Sequence, residues 1–266
     1  MLAQVPMCVA LSGIDPESVG APATPRGLIE WAARVGARGV RLDGRARGLR
    51  ARELERSGRR DLASLLRRLE LRFSGIDLWV PPEHFVDPLR ADRAIEAVVG
   101  AIDLCADLAT LGMYVAGRSV SITLPKGADE AARAIGAAAE RAGVRVADHG
   151  GGAEPRAIPG GAMGVGIDAA TMLLRSIDPA AEVSRMSGAS GPRMVSARAS
   201  DTDGIGRVAL GEGRLDLTAY AAALGVAMSG RVDAGDVVLD LRGVREPHEA
   251  AVRGLEAWEA TGVGRR

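Results

Sequence analysis

The 266-residue sequence is poor in aromatic residues, cysteine and lysine, and each shortage narrows the class of protein. Aromatic residues make up 3% of the chain, so a large core must be built mainly from Ala, Val, Leu and Ile. Two cysteines, Cys8 and Cys105, cannot form the disulfide framework of a small secreted protein, and they fit a reduced compartment. Lys126 is the only lysine, so nearly all basic residues are arginines. These shortages predict a cytoplasmic protein with an aliphatic core.

Long apolar runs and a net charge are also lacking. No stretch approaches the roughly 18 consecutive apolar residues that suggest a membrane helix. Residues 1–11 have no basic start and contain Gln4 and Pro6, so we expect no signal peptide. The 34 basic and 34 acidic residues cancel, so no overall field would attract nucleic acid or an anionic membrane. The arginine-rich run 45–60 is interspersed with glutamates, which predicts a solvated helix face instead of a nucleic-acid patch.

Short apolar runs alternate with helical patterns along the chain. The spacing predicts strands at residues 5–11, 39–43, 73–80, 119–123, 144–147, 165–168, 194–199 and 237–240. It predicts helices at residues 25–35, 50–69, 92–111, 129–142, 169–175, 217–224 and 247–260. Residues 150–164 contain six glycines and two prolines, which is too broken for a helix. We therefore expect the fifth helix to be shortened or missing.

Eight strands that alternate with helices specify a parallel sheet with right-handed crossovers. A closed barrel and an open doubly wound sheet share this order. The barrel is favoured because the strand count reaches eight and no Gly-x-Gly-x-x-Gly dinucleotide fingerprint follows the first strand. The length is also close to the roughly 250 residues of one (β/α)8 barrel. We therefore predict an α/β protein with a single TIM barrel over residues 1–266.

Four stretches, taken in order, resemble a known family. They are residues 28–42, 140–147, 201–217 and 238–249. The most specific pieces are the Leu-Gly-Glu-Gly-Arg-Leu-Asp-Leu run 210–217 and the Pro-His-Glu run 247–249. Together they resemble the sugar phosphate isomerase/epimerase family, the xylose isomerase-like TIM barrels, over nearly the whole chain.

This resemblance implies a divalent metal, Mn, Mg, Co or Zn, at the carboxyl ends of the strands. In that family a Glu on strand five, an Asp on strand six, a His on strand seven and a Glu on strand eight hold the metal, which polarises a hydroxyketone. Here these positions fall at His149 or Asp148, at Asp168, at Arg198 and at Asp240. Asp168, Asp240 and His149 could still be ligands, but an arginine stays cationic and offers no lone pair. The resemblance therefore implies a metal site that is altered or lost.

Arg198 has three interpretations. It points outward; it binds a substrate phosphate or carboxylate bidentately; or its guanidinium takes the vacated metal position between Asp168 and Asp240. We prefer the third, because two carboxylates within about 4 Å of each other need a cation between them. Together with His149, which directly follows the fifth strand, these residues are our candidates for catalysis.

Four further residues are candidates for substrate binding. Glu83 and His84 lie on the loop after strand three, on the side of the barrel that carries active sites. Arg242 follows Asp240 and could pair with it or with a substrate anion. Glu212 lies in a Gly-Glu-Gly loop that, in the family, contacts its surroundings and not the metal.

Two functions stay open ahead of a third, a barrel of another chemistry such as a lyase or hydrolase. One is a divergent isomerase or epimerase for a small sugar, polyol or keto acid, in which Asp240 or His149 moves a proton beside a carbonyl and Arg198 stabilises the enolate. The other is a catalytically inactive barrel that binds a carbohydrate-like ligand or a protein partner. The resemblance also implies a homodimer. Fold alone cannot decide, because this barrel hosts many unrelated chemistries.

Overall fold

The computed structural model describes residues 5–111, 118–150, 161–187, 193–229 and 237–263. Within these ranges eight parallel strands close into a barrel, so the predicted (β/α)8 fold is confirmed. The eight barrel strands are β1 Met7–Ala10, β2 Gly39–Asp43, β3 Arg72–Asp77, β4 Ser119–Ile122, β5 Arg145–Asp148, β6 Met163–Asp168, β7 Met194–Ala199 and β10 Val237–Leu239. Between β7 and β10 the chain forms a separate hairpin of two short strands, β8 Asp201–Thr202 and β9 Arg207–Val208.

Helices surround the barrel on the outside. Those in the described residues are α1 Pro25–Arg34, α2 Arg56–Arg68, α3 Ala91–Thr110, α4 Asp129–Ala142, α5 Ala169–Leu174, α6 Pro179–Met186, α7 Leu217–Met228 and α8 Pro247–Ala260. The shortened or missing helix expected between β5 and β6 falls largely on residues 151–160, which lie outside the described residues. None of the described helices combines the length and the apolar composition needed to cross a membrane.

Barrel closure brings the two ends of the described chain together. β1 pairs with β10, with Met7 opposite Val237. Beside this pair, the Val5 amide donates to the Val263 carbonyl (3.0 Å). Trp258 of α8 is 1% exposed and donates from Nε1 to the Val5 carbonyl (3.0 Å). Because the first and last strands are neighbours, the eight barrel strands leave no free sheet edge.

Local signals explain where α1 begins and where α4 ends. The Thr24 side chain accepts the Gly27 amide and Pro25 occupies the first turn, which starts α1 as predicted. Gly143 adopts φ 63° after α4 and ends that helix. The inner face of α4 is built of alanines around Ile135, so that helix packs on the barrel through small side chains.

Several boundaries differ from the sequence prediction, and two features were not predicted. α2 begins at Arg56 and not near residue 50, because residues 51–53 form a short 3-10 turn and Glu55 is extended. The third strand ends at Asp77, so Trp79 and Val80 leave the sheet. Helix α6 and the β8–β9 hairpin were not predicted at all.

The carboxyl ends of the strands carry the charged residues of one mouth of the barrel. Asp43, Asp77 and Asp168 end β2, β3 and β6, and Asp240 directly follows β10. Arg198 lies one residue before the end of β7, paired in register with Asp168 of β6. In parallel barrels the carboxyl ends meet at one face, which is where TIM-barrel enzymes place their active sites.

Candidate functional site at the barrel mouth

Arg41 of β2 is buried inside the barrel and is held on every side. Its Nε donates to Asp77 Oδ1 (2.6 Å). Its two terminal nitrogens donate to the carbonyls of residues 74, 76 and 119 and to the hydroxyls of Ser119 (3.0 Å) and Ser121 (2.9 Å). Gly75 makes room for this guanidinium, since a Cβ there would lie 2.7 Å from Arg41 Nη1. Arg41 is therefore a fixed internal cation under the mouth.

Arg198 is the second buried cation, and its side chain has no exposed surface. Nη2 donates to Asp77 Oδ1, and Nη1 donates to Asp240 Oδ2 (3.2 Å). Tyr220 of α7 donates to the Arg198 carbonyl (3.0 Å) and fixes the strand at this point. Arg198 Nε has no hydrogen-bond partner within the described part of the chain. The guanidinium thus bridges two strand-end carboxylates in the middle of the mouth.

Asp240 and Asp168 share two further arginines. Arg242 donates to Asp240 through Nη2 (2.5 Å) and reaches Asp168 Oδ2 (3.3 Å). Arg207, which lies on β9, donates to Asp168 Oδ2 (2.5 Å) and lies 3.4 Å from Asp240. Asp168 also accepts the Ser200 hydroxyl (3.0 Å). The mouth is therefore a continuous network of four arginines and three aspartates, with one positive charge in excess.

Trp79 lies over this network, because two guanidinium groups stack on its indole ring. The guanidinium carbon of Arg242 is 4.1 Å from the ring centroid, and that of Arg198 is 4.7 Å away. The indole Nε1 donates to Ser12 Oγ (3.2 Å), and Ser12 in turn donates to Asp77 (2.6 Å). Trp79 thus packs against both guanidinium groups and links them to Asp77 through Ser12.

His149 lies beside Trp79, with its ring edge toward the indole at a centroid distance of 5.4 Å. Its Nε2 is 3.0 Å from Ser121 Oγ, and its buried Nδ1 has no partner within the described ranges. A Cβ at Gly166 would lie 2.4 Å from the ring, so glycine at that position admits the imidazole. Burial and the positive charge of Arg198 hold the pKa of His149 well below its usual value, which keeps the ring neutral.

The neighbouring arginines set the pKa values of the three aspartates of the network. Burial alone would raise the pKa of Asp77, but Arg198 and Arg41 outweigh it and lower that pKa. The pKa of Asp168 is lowered in the same way by Arg207, and that of Asp240 by Arg198 and Arg242. All three are therefore anions at neutral pH and weak bases.

Asp43 differs from these three carboxylates. It accepts the Arg45 amide (2.8 Å), but no arginine lies within ion-pair distance of it in the described structure. Burial raises the pKa of Asp43, although the Arg45 amide partly opposes this. Asp43 is therefore protonated more readily than Asp77, Asp168 and Asp240, whose pKa values are lowered.

The structure brings the four residues predicted for catalysis into one region. The arginines around Asp168 and Asp240 link these two carboxylates, Arg198 joins Asp240, and His149 packs against the same indole ring. One detail of the expectation was wrong. Arg198 bridges Asp77 and Asp240 instead of Asp168 and Asp240, because Arg207 and Arg242 already neutralise Asp168.

The other predicted residues have mixed positions. Arg242 belongs to the network, and His84 lines the adjacent cleft described below. Glu83 is exposed on the 3-10 turn Pro82–Phe85, which also carries His84. Glu212 pairs with Arg253 of α8 (2.7 Å) and makes no contact with the arginine–aspartate network. Asp148 accepts the amides of residues 124 and 150, so it holds the loop after β4.

Sequence reasoning missed several members of the network. Asp77 could have been found, because it ends an apolar strand in the same way as Asp168. Arg41 carried a weaker signal, a lone charge inside an apolar strand. Arg207 carried none, since the hairpin that presents it was not predicted.

The residues of the mouth do not fit a divalent metal. A metal needs carboxylate and imidazole lone pairs that point at a common centre. Here the oxygens of Asp77, Asp168 and Asp240 accept hydrogen bonds from arginines, and the Arg198 guanidinium lies among them. The described residues contain no group of three or more His, Cys, Asp or Glu side chains with metal-binding geometry.

A cleft of about 1220 Å³ opens beside the network. It is lined by Trp79 and Arg242 from the mouth, by the loops after β1, β2 and β3, and by one face of α3. Asp43 also lines it. A ligand in this cleft would therefore contact both Asp43, the strand-end aspartate with the raised pKa, and Arg242 of the network.

Comparison with solved structures identifies the type of barrel. A xylose isomerase domain protein from Alicyclobacillus acidocaldarius superposes with a TM-score of 0.68 at 16% identity, over 98% of this chain and 100% of that one. The chain has the fold of a xylose isomerase-like TIM barrel. The predicted resemblance is thus confirmed at the level of the fold. No known sequence-family model and no curated protein sequence matches the chain.

Two other solved structures share this xylose isomerase-like fold. A D-allulose 3-epimerase from Methylomonas sp., in complex with D-allulose, has a TM-score of 0.62 at 13% identity, over 98% of this chain and 100% of that one. A xylose isomerase-like TIM barrel protein from Mycobacterium smegmatis, in complex with magnesium, has a TM-score of 0.64 at 14% identity, over 99% of both chains.

Proposed function

We propose that this protein is a divergent sugar isomerase/epimerase-like barrel that binds or acts on a small sugar, polyol or keto acid at its carboxyl-terminal mouth. In this proposal Arg198 stands at the position where the family holds its metal. The observation that carries it is the fully buried Arg198 guanidinium between Asp77 and Asp240. The D-allulose complex of a barrel with the same fold supports the ligand class.

A fixed guanidinium can take over one role of a metal. It supplies a positive charge that does not depend on pH and is already oriented, which is what a developing enolate oxygen requires. The excess positive charge of the network favours the same kind of ligand group. Arg242 is the arginine of the network that both lines the cleft and is partly exposed, so it is the one that would meet the ligand first.

Proton transfer beside a carbonyl would need a base that the arginines have not neutralised. Asp77, Asp168 and Asp240 are poor candidates because their pKa values are lowered. Asp43 has a raised pKa and lines the cleft, so we assign it this role, which sequence reasoning had given to Asp240 or His149. His149 keeps a neutral ring with an unpartnered Nδ1 and is the second candidate.

A ligand-binding barrel without turnover is the alternative. It is favoured by the arginine contacts of all three network aspartates, because a locked carboxylate contributes little to acid–base catalysis. Under this alternative the mouth recognises its ligand and releases it unchanged.

One set of measurements tests the proposal. Metal content is determined after dialysis against manganese and zinc, and a panel of ketoses, polyols and 2-keto acids is assayed for thermal stabilisation and for turnover, with and without a chelator. We expect stabilisation by at least one panel member and turnover that the chelator leaves unchanged. Asp43→Asn should lower turnover by about 100-fold or more, as loss of a general base does. Asp61→Asn, an exposed change on α2, is the matched control.

Each outcome separates the possibilities. Stoichiometric manganese or zinc with chelator-sensitive turnover would overturn the arginine replacement. Stabilisation without turnover would support the binding barrel. If no member of the panel stabilises the protein, the proposed ligand class is wrong.

A further inference from the structure

The cleft beside the mouth has an uneven charge. Five arginines line it, against two acidic residues, Asp43 and Glu96. The arginines are Arg45, Arg50, Arg52, Arg93 and Arg242. The whole chain carries no net charge, so this local excess is not the by-product of a basic protein.

Three of the five arginines form no ion pair with a carboxylate in the part of the chain that the structure describes. Arg50 pairs with Glu53, and Arg242 is committed to the aspartates of the mouth. The Arg45 guanidinium donates to the Trp79 carbonyl (3.0 Å) and forms no ion pair within the described residues. Arg52 and Arg93 are exposed and have no ion pair in the described ranges. The cleft therefore presents three available guanidinium groups.

The position of these arginines differs from the sequence interpretation. The run 45–60 was expected to form one solvated helix face. In the structure Arg45 and Arg52 precede α2, on the loop and the 3-10 turn after β2. Arg93 comes from the first turn of α3, on a different part of the chain. The loop after β2, the 3-10 turn and α3 thus each place an arginine side chain at the same cleft.

We propose that this cleft is an oxyanion-binding site, which takes the carboxylate or phosphate group of a small ligand on Arg45, Arg52 and Arg93. The planar guanidinium matches both groups through paired hydrogen bonds, which a lysine could not provide. The cleft also reaches Arg242 and Asp43, so the rest of a ligand anchored there extends toward the mouth.

This inference narrows the proposed function to anionic ligands. It rests on that proposal in one respect only, that the ligand enters at this mouth. It does not depend on turnover or on what replaces the metal.

The test is calorimetric titration of the whole protein with sodium sulfate, inorganic phosphate and malonate at low ionic strength. Arg52→Gln and Arg93→Gln should each weaken binding by about threefold to fivefold, as expected for a partly solvated charge pair. The double variant should weaken it by about tenfold or more. Arg133→Gln, an exposed change of the same charge on α4, is the control and should bind like the wild type. Both cleft arginines are exposed, and circular dichroism checks that the variants fold.

The outcomes are distinct from those of the proposed function. Absence of oxyanion binding, wild-type binding by the double variant, or equal weakening by Arg133→Gln would each overturn the inference. Oxyanion binding that the double variant loses would support it, even if no ketose, polyol or keto acid stabilises the protein. Preference for phosphate or for malonate tells which oxyanion the natural ligand carries.

Discussion

Arg198 combines complete burial with two carboxylate partners, which makes it the most sensitive residue of the mouth. A buried ion pair adds little net stability when it forms, because both ions lose their hydration. Removing one partner is costly, since the other charge stays buried without compensation. The penalty for removing Arg198 should therefore be larger than the net free energy that its ion pairs contribute to folding.

We predict that Arg198→Met lowers the free energy of unfolding by about 3–5 kcal/mol. The methionine fills much of the volume, so the loss comes from Asp77 and Asp240, which stay buried and each lose one arginine partner, although Asp77 keeps Arg41 and Asp240 keeps Arg242. Urea denaturation measures the change. Arg253→Met removes a surface pair with Glu212 and should cost less than about 1 kcal/mol. Equal losses in the two variants would contradict the buried bridge.

His149 gives a second prediction, on pH. Its pKa in the folded protein is lowered, so between the usual histidine pKa of about 6.5 and that lower value the unfolded chain binds the extra proton. Stability should therefore fall as the pH drops below about 6.5, by up to about 1.4 kcal/mol per pH unit. His149→Gln should flatten this slope in urea denaturation at pH 5 to 7. An unchanged slope would show that His149 is not held neutral.

At the scale of elements, the β8–β9 hairpin supplies Arg207, an arginine of the network that does not come from a barrel strand. Thr202 and Asp203 close its turn by accepting amides of residues 204–206. The turn places Arg207 between Asp168 and Asp240. Asp201, buried at the base, accepts the amides of residues 211, 213 and 215 and so fixes the following loop.

We predict that Arg207→Gln lowers the free energy of unfolding by about 1–2 kcal/mol, less than Arg198→Met, because Arg207 is partly exposed and Asp168 keeps Arg242. Urea denaturation again measures it. Ile205→Ser changes the exposed tip of the same hairpin and should leave stability nearly unchanged. A comparable loss in the tip variant would mean that the hairpin acts through its packing and not through Arg207.

The elements also show which parts of the fold could be predicted from the sequence. The barrel strands were predictable, because each is short, contains buried apolar residues and is separated from the next barrel strand by a helix or loop. Helix α6 had a readable start in Asp178-Pro179, which was overlooked. The hairpin strands have two residues each, too few for a periodic pattern. Likewise, the partner of Arg198 depends on tertiary distances, so sequence order suggested Asp168 where the structure has Asp77.

At the scale of the whole molecule, the zero net charge conceals a dense cluster of paired opposite charges. Three aspartates and four arginines are gathered at one end of the barrel, mostly out of contact with water. Such buried pairs are screened by salt much less than surface pairs are. The stability of the protein should therefore depend on pH at this cluster more than on ionic strength.

Unfolding at acidic pH tests the three aspartates of this cluster together. Asp77, Asp168 and Asp240 have lowered pKa values when folded, whereas the unfolded chain protonates aspartates near pH 3.9. Their contribution to stability is fully present above that pH and is lost as the pH falls through the folded pKa values. Below about pH 4 the free energy of unfolding should fall by up to about 4 kcal/mol per pH unit, the sum for three protons. Urea denaturation from pH 2.5 to 5 measures the slope, and Arg198→Met should make it shallower, because Asp77 and Asp240 then titrate closer to their unfolded values. A wild-type slope below about 1.4 kcal/mol per pH unit, which corresponds to less than one proton, would mean that the aspartates are not held as anions by their arginines.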